Sequence, residues 1–377
     1  MTTAVVTGFT VHGPLMRESF APLVSLRRKG VLDRVLYVTW DTGEIDAYVA
    51  PALEWPEVEV VRVPQPPVRG TPRCKGFIYQ SRNLAIALKL VADPGELVFK
   101  TRPDFLIDEA FLADKIANFD CWRVAPDFSH RIPIAMPPSP FKARIWVPWA
   151  DAAAPFFIED AAFMGLAGDL ALLANPVADE MVLHCGDAES VNVAHVLRFI
   201  MPFLADYPIF TRYLVEFHLF RMETKYRAKL VPLSANDPYF WHMAVANAWI
   251  LATSFHVDCG RLGQLHLVAS STARLGINRP VDDLRTYIVY NEVEIWRGFA
   301  EPGTFLPLLV RPDGRLMDDD WQYRLFAGPV EQGFTHENLL VILDDLNRYR
   351  TGILRELERT YYDALNALYR DFPKQAA

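Results

Sequence analysis

The chain has 377 residues, 51% hydrophobic and 22% charged, a composition that excludes a disordered chain. Its formal net charge of −8 argues against a protein that grips nucleic acid, which carries a basic excess. Four cysteines without a C-x-x-C pair exclude a disulfide-stapled scaffold and point to a reducing, cytoplasmic compartment.

Residues 3–8, TAVVTG, read as a buried strand that stops at Gly8. LMRESFAPLVSLRRKG follows with helical periodicity, and Gly30 suits its C-terminal cap. DRVLYVTWD is a second buried strand ending at Thr39, Trp40 and Asp41, and VEVVRVPQP is a third, closed by prolines. IYQSRNLAIALKLVAD is helical, with Arg82 and Asn83 at its start, and ELVFKTR is the fourth strand. Strand, helix, strand, strand, helix, strand with short connections implies an α/β, Rossmann-type, mostly parallel sheet.

Residues 126–155 are rich in proline and aromatics and read as a long ordered loop with a strand near RIWVPW. EDAAFMGLAGDLALLAN then starts a helix with Glu159 and Asp160 in its first turn. Beyond about 190 the pattern is mainly helical, with a break at Pro202 or Pro208. The change of pattern divides the chain into 1–195 and 196–377, a mainly helical C-terminal region that completes the core or oligomerises. FWHMAVANAWILATSF reads as a buried helix, because it falls short of the ~18 apolar residues of a spanning segment. MTTAVVTGFT lacks the marks of a signal peptide, so an association with the inner face of a membrane would be peripheral. An apolar stripe over 335–373 is either core, a homodimer seam or a surface anchor.

In parallel α/β sheets, ligands bind beyond the carboxyl ends of the strands. Gly8, the Thr39–Asp41 end and the Lys100–Asp104 end therefore belong on one rim. Residues 62–102 carry eight Lys or Arg (Arg62, Arg69, Arg73, Lys75, Arg82, Lys89, Lys100, Arg102) against Asp93 and Glu96. A basic island in an acidic protein suits a compact anion. In K-x-R-x-D, Lys100, Arg102 and Asp104 share one side of an extended chain. Asp104 can hold a divalent ion and the cations can neutralise phosphate; a solvated strand end is the plain alternative. Arg82 and Asn83 can grip phosphate or a base edge, or merely cap a helix. Glu159 and Asp160 can supply a general base, or simply suit a helix dipole. His184, Asp187, Glu189 and His195 fit no zinc spacing. The chain lacks G-x-G-x-x-G after its first strand, the P-loop and the G-x-S-x-G elbow.

VTWD, YQSRNL, KTRPDF and FMGLAGDLALL, in this order and spacing, resemble the WavE-type family of lipopolysaccharide-synthesis glycosyltransferases. The match covers residues 1 to 200, and it is similar more generally to GT-A glycosyltransferases. The resemblance implies a GT-A-like fold and transfer of a sugar from a nucleotide-sugar donor to a glycan or lipid-linked glycan acceptor, by direct displacement with inversion, with retention open because GT-A folds support both outcomes. It makes 1–195 the nucleotide-sugar-binding and catalytic unit and gives 196–377 a part in acceptor binding. It places Gly8, Thr39, Trp40, Asp41, Arg82, Asn83, Lys100, Arg102 and Asp104 around the donor, Mn²⁺ or Mg²⁺ on Asp104, and the base at Asp160 or Glu159. One departure is that Arg102 stands where the family's motif has an earlier acid, so the cations either assist the metal or replace it. A non-catalytic nucleotide- or sugar-binding module of a glycan-assembly complex is the alternative. A nucleotidyltransferase would need more acids and a glycine-rich signature.

Overall fold

The structure is a computed structural model of the chain. It describes residues 1–8, 13–41, 52, 54–68, 70–125, 138–148, 150, 156, 158–174, 178–179, 182–183, 188–203, 246–247, 249–258, 265–267 and 279–280.

β1 (Thr2–Thr7), β2 (Arg34–Asp41), β3 (Val58–Pro64) and β4 (Leu97–Thr101) are the strands the four apolar runs predict. Strands covered on both faces are apolar at consecutive positions, as in Ala4-Val5-Val6 and Leu97-Val98-Phe99. β1 pairs in parallel with β2 on one side and β4 on the other, and β2 pairs in parallel with β3. Three strands complete the sheet: β6 (Ile145–Val147), β7 (Phe163–Leu166) and β8 (Phe255–Val257). Its order is β3-β2-β1-β4-β7-β6-β8. β7 runs antiparallel to both β4 and β6, while β8 is parallel to β6. The sheet is thus mostly parallel with one reversed strand.

After β4 the chain leaves this sheet through β5 (Phe105–Ile107), which joins a three-stranded antiparallel sheet with β9 (Leu265–Leu267) and β10 (Arg279–Pro280). The connecting turn closes with Phe105 N–H donating to the Arg102 carbonyl at 3.1 Å, and Ser19 Oγ holds the Pro103 carbonyl at 2.8 Å.

Helices cover both faces. α1 (Gly13–Arg28) and α3 (Glu109–Ala117), followed by the short α4 (Phe119–Trp122), pack on one face. Phe20, Leu23, Phe111 and Leu112 bury there against Tyr37 and Phe99. α2 (Pro72–Leu90), α5 (Ala167–Leu173) and α6 (Ala188–Ile200) pack on the other. Ile78, Leu84, Leu170 and Leu197 bury there with Val5, Val38 and Val98.

Three expectations are corrected. α2 begins at Pro72, because Thr71 accepts from Cys74 N–H at 3.3 Å and a proline suits the first helical position. Arg82 and Asn83 therefore lie within a 19-residue helix, away from its free N–H groups. Glu159 and Asp160 precede a strand, and the helix starts only at Ala167. Within that strand a Cβ at Gly165 would meet Ile145 Cγ1 at 3.1 Å and Leu170 Cδ2 at 3.2 Å, so β6 and α5 approach it closely and these side chains would have to give way to any larger residue. α6 runs through 195 to Ile200, and a 3₁₀ turn at Met201–Phe203 takes up Pro202. The region after 196 is more than helical: β8 belongs to the main sheet, and β9 and β10 build the second. Residues 249–254 are helical and largely buried, as expected. The 335–373 stripe, and with it the dimer seam, lies outside the described residues. No helix among the described residues is long and apolar enough to cross a membrane.

Candidate functional site

The strand order reverses between β1 and β4, and their carboxyl ends open the crevice where an α/β sheet receives its ligand. Gly8 ends β1 at φ 96°, a left-handed backbone that disfavours any Cβ. Gln80 of α2 faces it, with Cγ 3.7 Å from where a Cβ would stand. On β2, Thr39 and Trp40 are buried and Asp41 is exposed. The Trp40 ring is covered by Tyr79, with centroids 5.1 Å apart.

Lys100 points inward on the α2/α6 face. Its Nζ donates to the Asp160 carbonyl and, at 3.4 Å, to that of Ala161, and lies 4.9 Å from the Phe163 ring centroid. Burial lowers its pKa from 10.5 to about 7, against the pull of Asp160. Arg102 turns back on its neighbour: Nε and Nη2 donate to Asp104 Oδ1 and Oδ2 at 2.8 and 2.5 Å. Burial acts to lower the Arg102 pKa, but the Asp104 carboxylate outweighs it and the net shift is upward. Arg82 is 38% exposed and reaches toward Asp179 Oδ2 at 3.9 Å.

α6 brings in the residues that complete the cluster. His195 Nε2–H donates to the Ile158 carbonyl at 2.5 Å, and Nδ1 lies 3.5 Å from Asp160 Oδ2. Arg198 Nη1 donates to the same Oδ2 at 3.3 Å, and its guanidinium sits 4.4 Å from the Phe77 ring centroid. Burial pushes Asp160 up, but His195, Lys100 and Arg198 outweigh it and hold the carboxyl well below the usual range. Glu159 goes the other way: burial, then the Asp160 charge, raise it, while Ala161 N–H donates to Oε1 at 2.5 Å. The environment thus shifts the proton affinities of these two adjacent carboxylates in opposite directions.

Among the predicted residues, Lys100, Glu159, Asp160 and His195 come together. Arg102 and Asp104 pair at the adjacent turn, and Arg82 engages a separate acid. Asn83 is wholly buried, and neither amide atom finds a partner among the described residues. His184 and Asp187 lie outside the described residues, as does the side chain of Glu189. Sequence reasoning missed Arg198 and Phe77. The signal was present: AHVLRFI is apolar around one arginine, and a cation buried in such a helix needs a counterpart.

A divalent ion takes six or more oxygen ligands, several from protein carboxylates. Both Asp104 oxygens already accept from Arg102, and no three His, Cys, Asp or Glu side chains converge among the described residues. That donor set does not fit Mn²⁺ or Mg²⁺ at Asp104. Asp169 of the FMGLAGDL motif is structural: its oxygens accept from Lys142 and Ala143 N–H at 2.9 and 3.0 Å, fixing the chain that leads into β6.

No protein-family model matches the chain and no curated protein matches its sequence, so the WavE-type resemblance rests on its motifs alone. Among solved structures, the chain is similar to the mannosyltransferase PcManGT from Pyrobaculum calidifontis in complex with GDP-Man and Mn²⁺. The two are 15% identical, with 79% of this chain and 85% of that chain covered, at a TM-score of 0.29. That likeness is too slight to carry a fold or a function across.

Proposed function

We propose that the chain is a glycosyltransferase moving a sugar from a nucleotide-sugar donor to a glycan acceptor, such as a growing lipopolysaccharide or other surface polysaccharide, with inversion. The observation that carries this reading is the Glu159–Asp160 pair beside the switch point of the sheet. Neighbouring carboxylates whose environments drive their proton affinities apart are suited to different roles. Glu159, raised by burial, is the general base; Asp160 stays ionised and fixes His195 and Arg198. The acceptor oxygen attacks the anomeric carbon and its proton passes to Glu159. The bond from that carbon to the diphosphate breaks, and its electron pair leaves with the nucleoside diphosphate. The cations around Asp160 oppose the charge that builds on the departing group. The motif resemblance supports the donor class, and no step requires a metal at Asp104.

A second reading is favoured by one observation: Lys100, Arg102 and Arg82 each already face a protein oxygen. On that reading the chain binds a nucleotide sugar without turning it over. Release of nucleoside diphosphate from a panel of nucleotide sugars, with and without an acceptor glycan, separates the two. Turnover by the wild-type protein, reduced about 10²–10⁴-fold in Glu159→Gln, is expected. Undiminished turnover in Glu159→Gln removes the assigned base. Saturable binding with no turnover of any donor establishes the second reading.

A further inference from the structure

Arg198 is 2% exposed, and only part of its guanidinium is used. Nη1 meets Asp160, and the planar group lies over Phe77. Nε and Nη2 are buried and find no hydrogen-bond partner among the described residues. Those two N–H groups share one edge of the guanidinium. It is the edge with which Arg102 holds both oxygens of Asp104 in this same protein. A buried charge-bearing donor left unmatched is costly, and a planar fork fits two oxygens of one anion. Asp160 and Phe77 fix the fork's orientation before any ligand arrives.

Besides Asp160 and Arg198, the charged groups of the cluster are Lys100, Arg102 and Glu159. Asp104 matches Arg102, and both Asp160 and Glu159 act on Lys100, whose Nζ donates to carbonyl oxygens. Asp160 meets Arg198 through Nη1 alone, so no carboxylate among the described residues faces the Nε–Nη2 edge. A second observation concerns the rest of the ligand. Thr7 Oγ1 and both amide atoms of Asn83 are also buried without partners among the described residues. Thr7 and Lys100 project to the same face of the sheet, the face that α2 and α6 cover. These groups are neutral donors and acceptors, suited to hydroxyls or a base edge.

We infer that Arg198 is the phosphoryl-binding residue of the site: Nε–H and Nη2–H donate to two oxygens of one phosphoryl group of a phosphate ester, whose uncharged polar part is met by Thr7 and Asn83. This rests on the donor class proposed above, yet it moves the anion from Lys100, Arg102 and Arg82 to a residue of α6. No covalent step is involved.

The test is calorimetric titration of the full chain with inorganic pyrophosphate, with uridine, guanosine, cytidine and adenosine diphosphates, and with malonate as a carboxylate control. The variants are Arg198→Lys, which keeps the charge near Asp160 but loses the fork, and Arg198→Gln. Thermal melts without ligand check folding of each. Wild-type protein should bind pyrophosphate and at least one nucleoside diphosphate more tightly, and Arg198→Lys should weaken both at least tenfold. Asn83→Ala should weaken the nucleoside diphosphate and leave pyrophosphate unchanged. Equal affinity in wild type and Arg198→Lys overturns the inference, as does binding of malonate in preference to pyrophosphate, or no pyrophosphate binding at millimolar concentration. The two readings fail separately. Arg198-dependent pyrophosphate binding without sugar transfer sinks only the proposed activity. Transfer with binding and KM untouched in Arg198→Lys sinks only the assignment of Arg198.

Discussion

Thr3 and Thr7 occupy the two ends of one strand, on the same face and equally buried, yet their hydroxyls meet opposite fates. Thr3 Oγ donates to the Glu96 carboxylate, whereas Thr7 Oγ has no partner among the described residues. The contrast extends across the sheet. At the amino ends, Thr2 N–H donates to Asp33 Oδ2 at 2.7 Å, and Arg34 clasps Glu59 at 2.8 and 2.7 Å. At the carboxyl ends, Thr39, Trp40, Asn83 and Arg198 all keep buried polar atoms without a mate. Unmatched buried polar atoms are rare in stable interiors. Others occur away from this rim, at Glu57, Trp146 and Ser254 among them, but those of Thr7 and Arg198 lie on the face of the sheet that carries the Lys100–Asp160 cluster, where a ligand could match them.

The largest effect expected from this contrast is at Lys100. Its folded pKa, about 7, lies below the 10.5 of the unfolded chain. Between those values the unfolded chain binds more protons, so stability rises with pH; below about 7 the full penalty applies. Urea titrations from pH 6 to 10 should show this rise, amounting to a few kcal/mol, in the wild-type protein relative to Lys100→Met. Parallel pH curves for the two proteins would show that Lys100 is not held at a cost. Next in size is Thr3→Val, which removes a donor from the buried Glu96 and should cost about 1–3 kcal/mol while leaving the affinity for nucleoside diphosphate intact. Thr7→Val is the matching change at the other end. With no bond to lose, it should stabilise the protein by about 1 kcal/mol and weaken the ligand. If Thr3→Val and Thr7→Val shift the melting temperature in the same direction, the contrast between the rims fails.

Much of the frame was legible because it is local. The apolar runs at 2–7, 34–41 and 97–101 are buried on both faces, 58–64 is an edge strand with valines at 58, 60, 61 and 63, and all four identify their strands without reference to anything distant. Gly30, at φ 72°, follows α1 as its cap position requires. The carboxyl rim followed from the parallel order. What escaped was set by contacts across the chain. β7 looked like the start of a helix because Phe163-Met164-Gly165-Leu166 runs directly into α5, and only β4 and β6 on either side make it a strand. Thr71-Pro72 marks the true start of α2, but the apolar period is strong only later in that helix. Lys100 and Arg102 lie at the carboxyl end of β4, yet their partners, the Asp160 carbonyl and Asp104, turn them away from a free phosphate. AHVLRFI signals that Arg198 is buried, but nothing in its neighbourhood names Asp160 as its counterpart.

β8 gives the architecture a practical consequence. Residues 255–257 lie more than fifty positions beyond α6, yet they zip onto β6, and the Phe255 carbonyl accepts from buried Arg144 at 3.5 Å. A shortened protein ending near residue 200 would strip that neighbour away, leaving Ile145-Trp146-Val147 as a raw, greasy margin able to recruit the same margin of another molecule. Cutting the gene at the apparent change of pattern would therefore yield clumps rather than an active half.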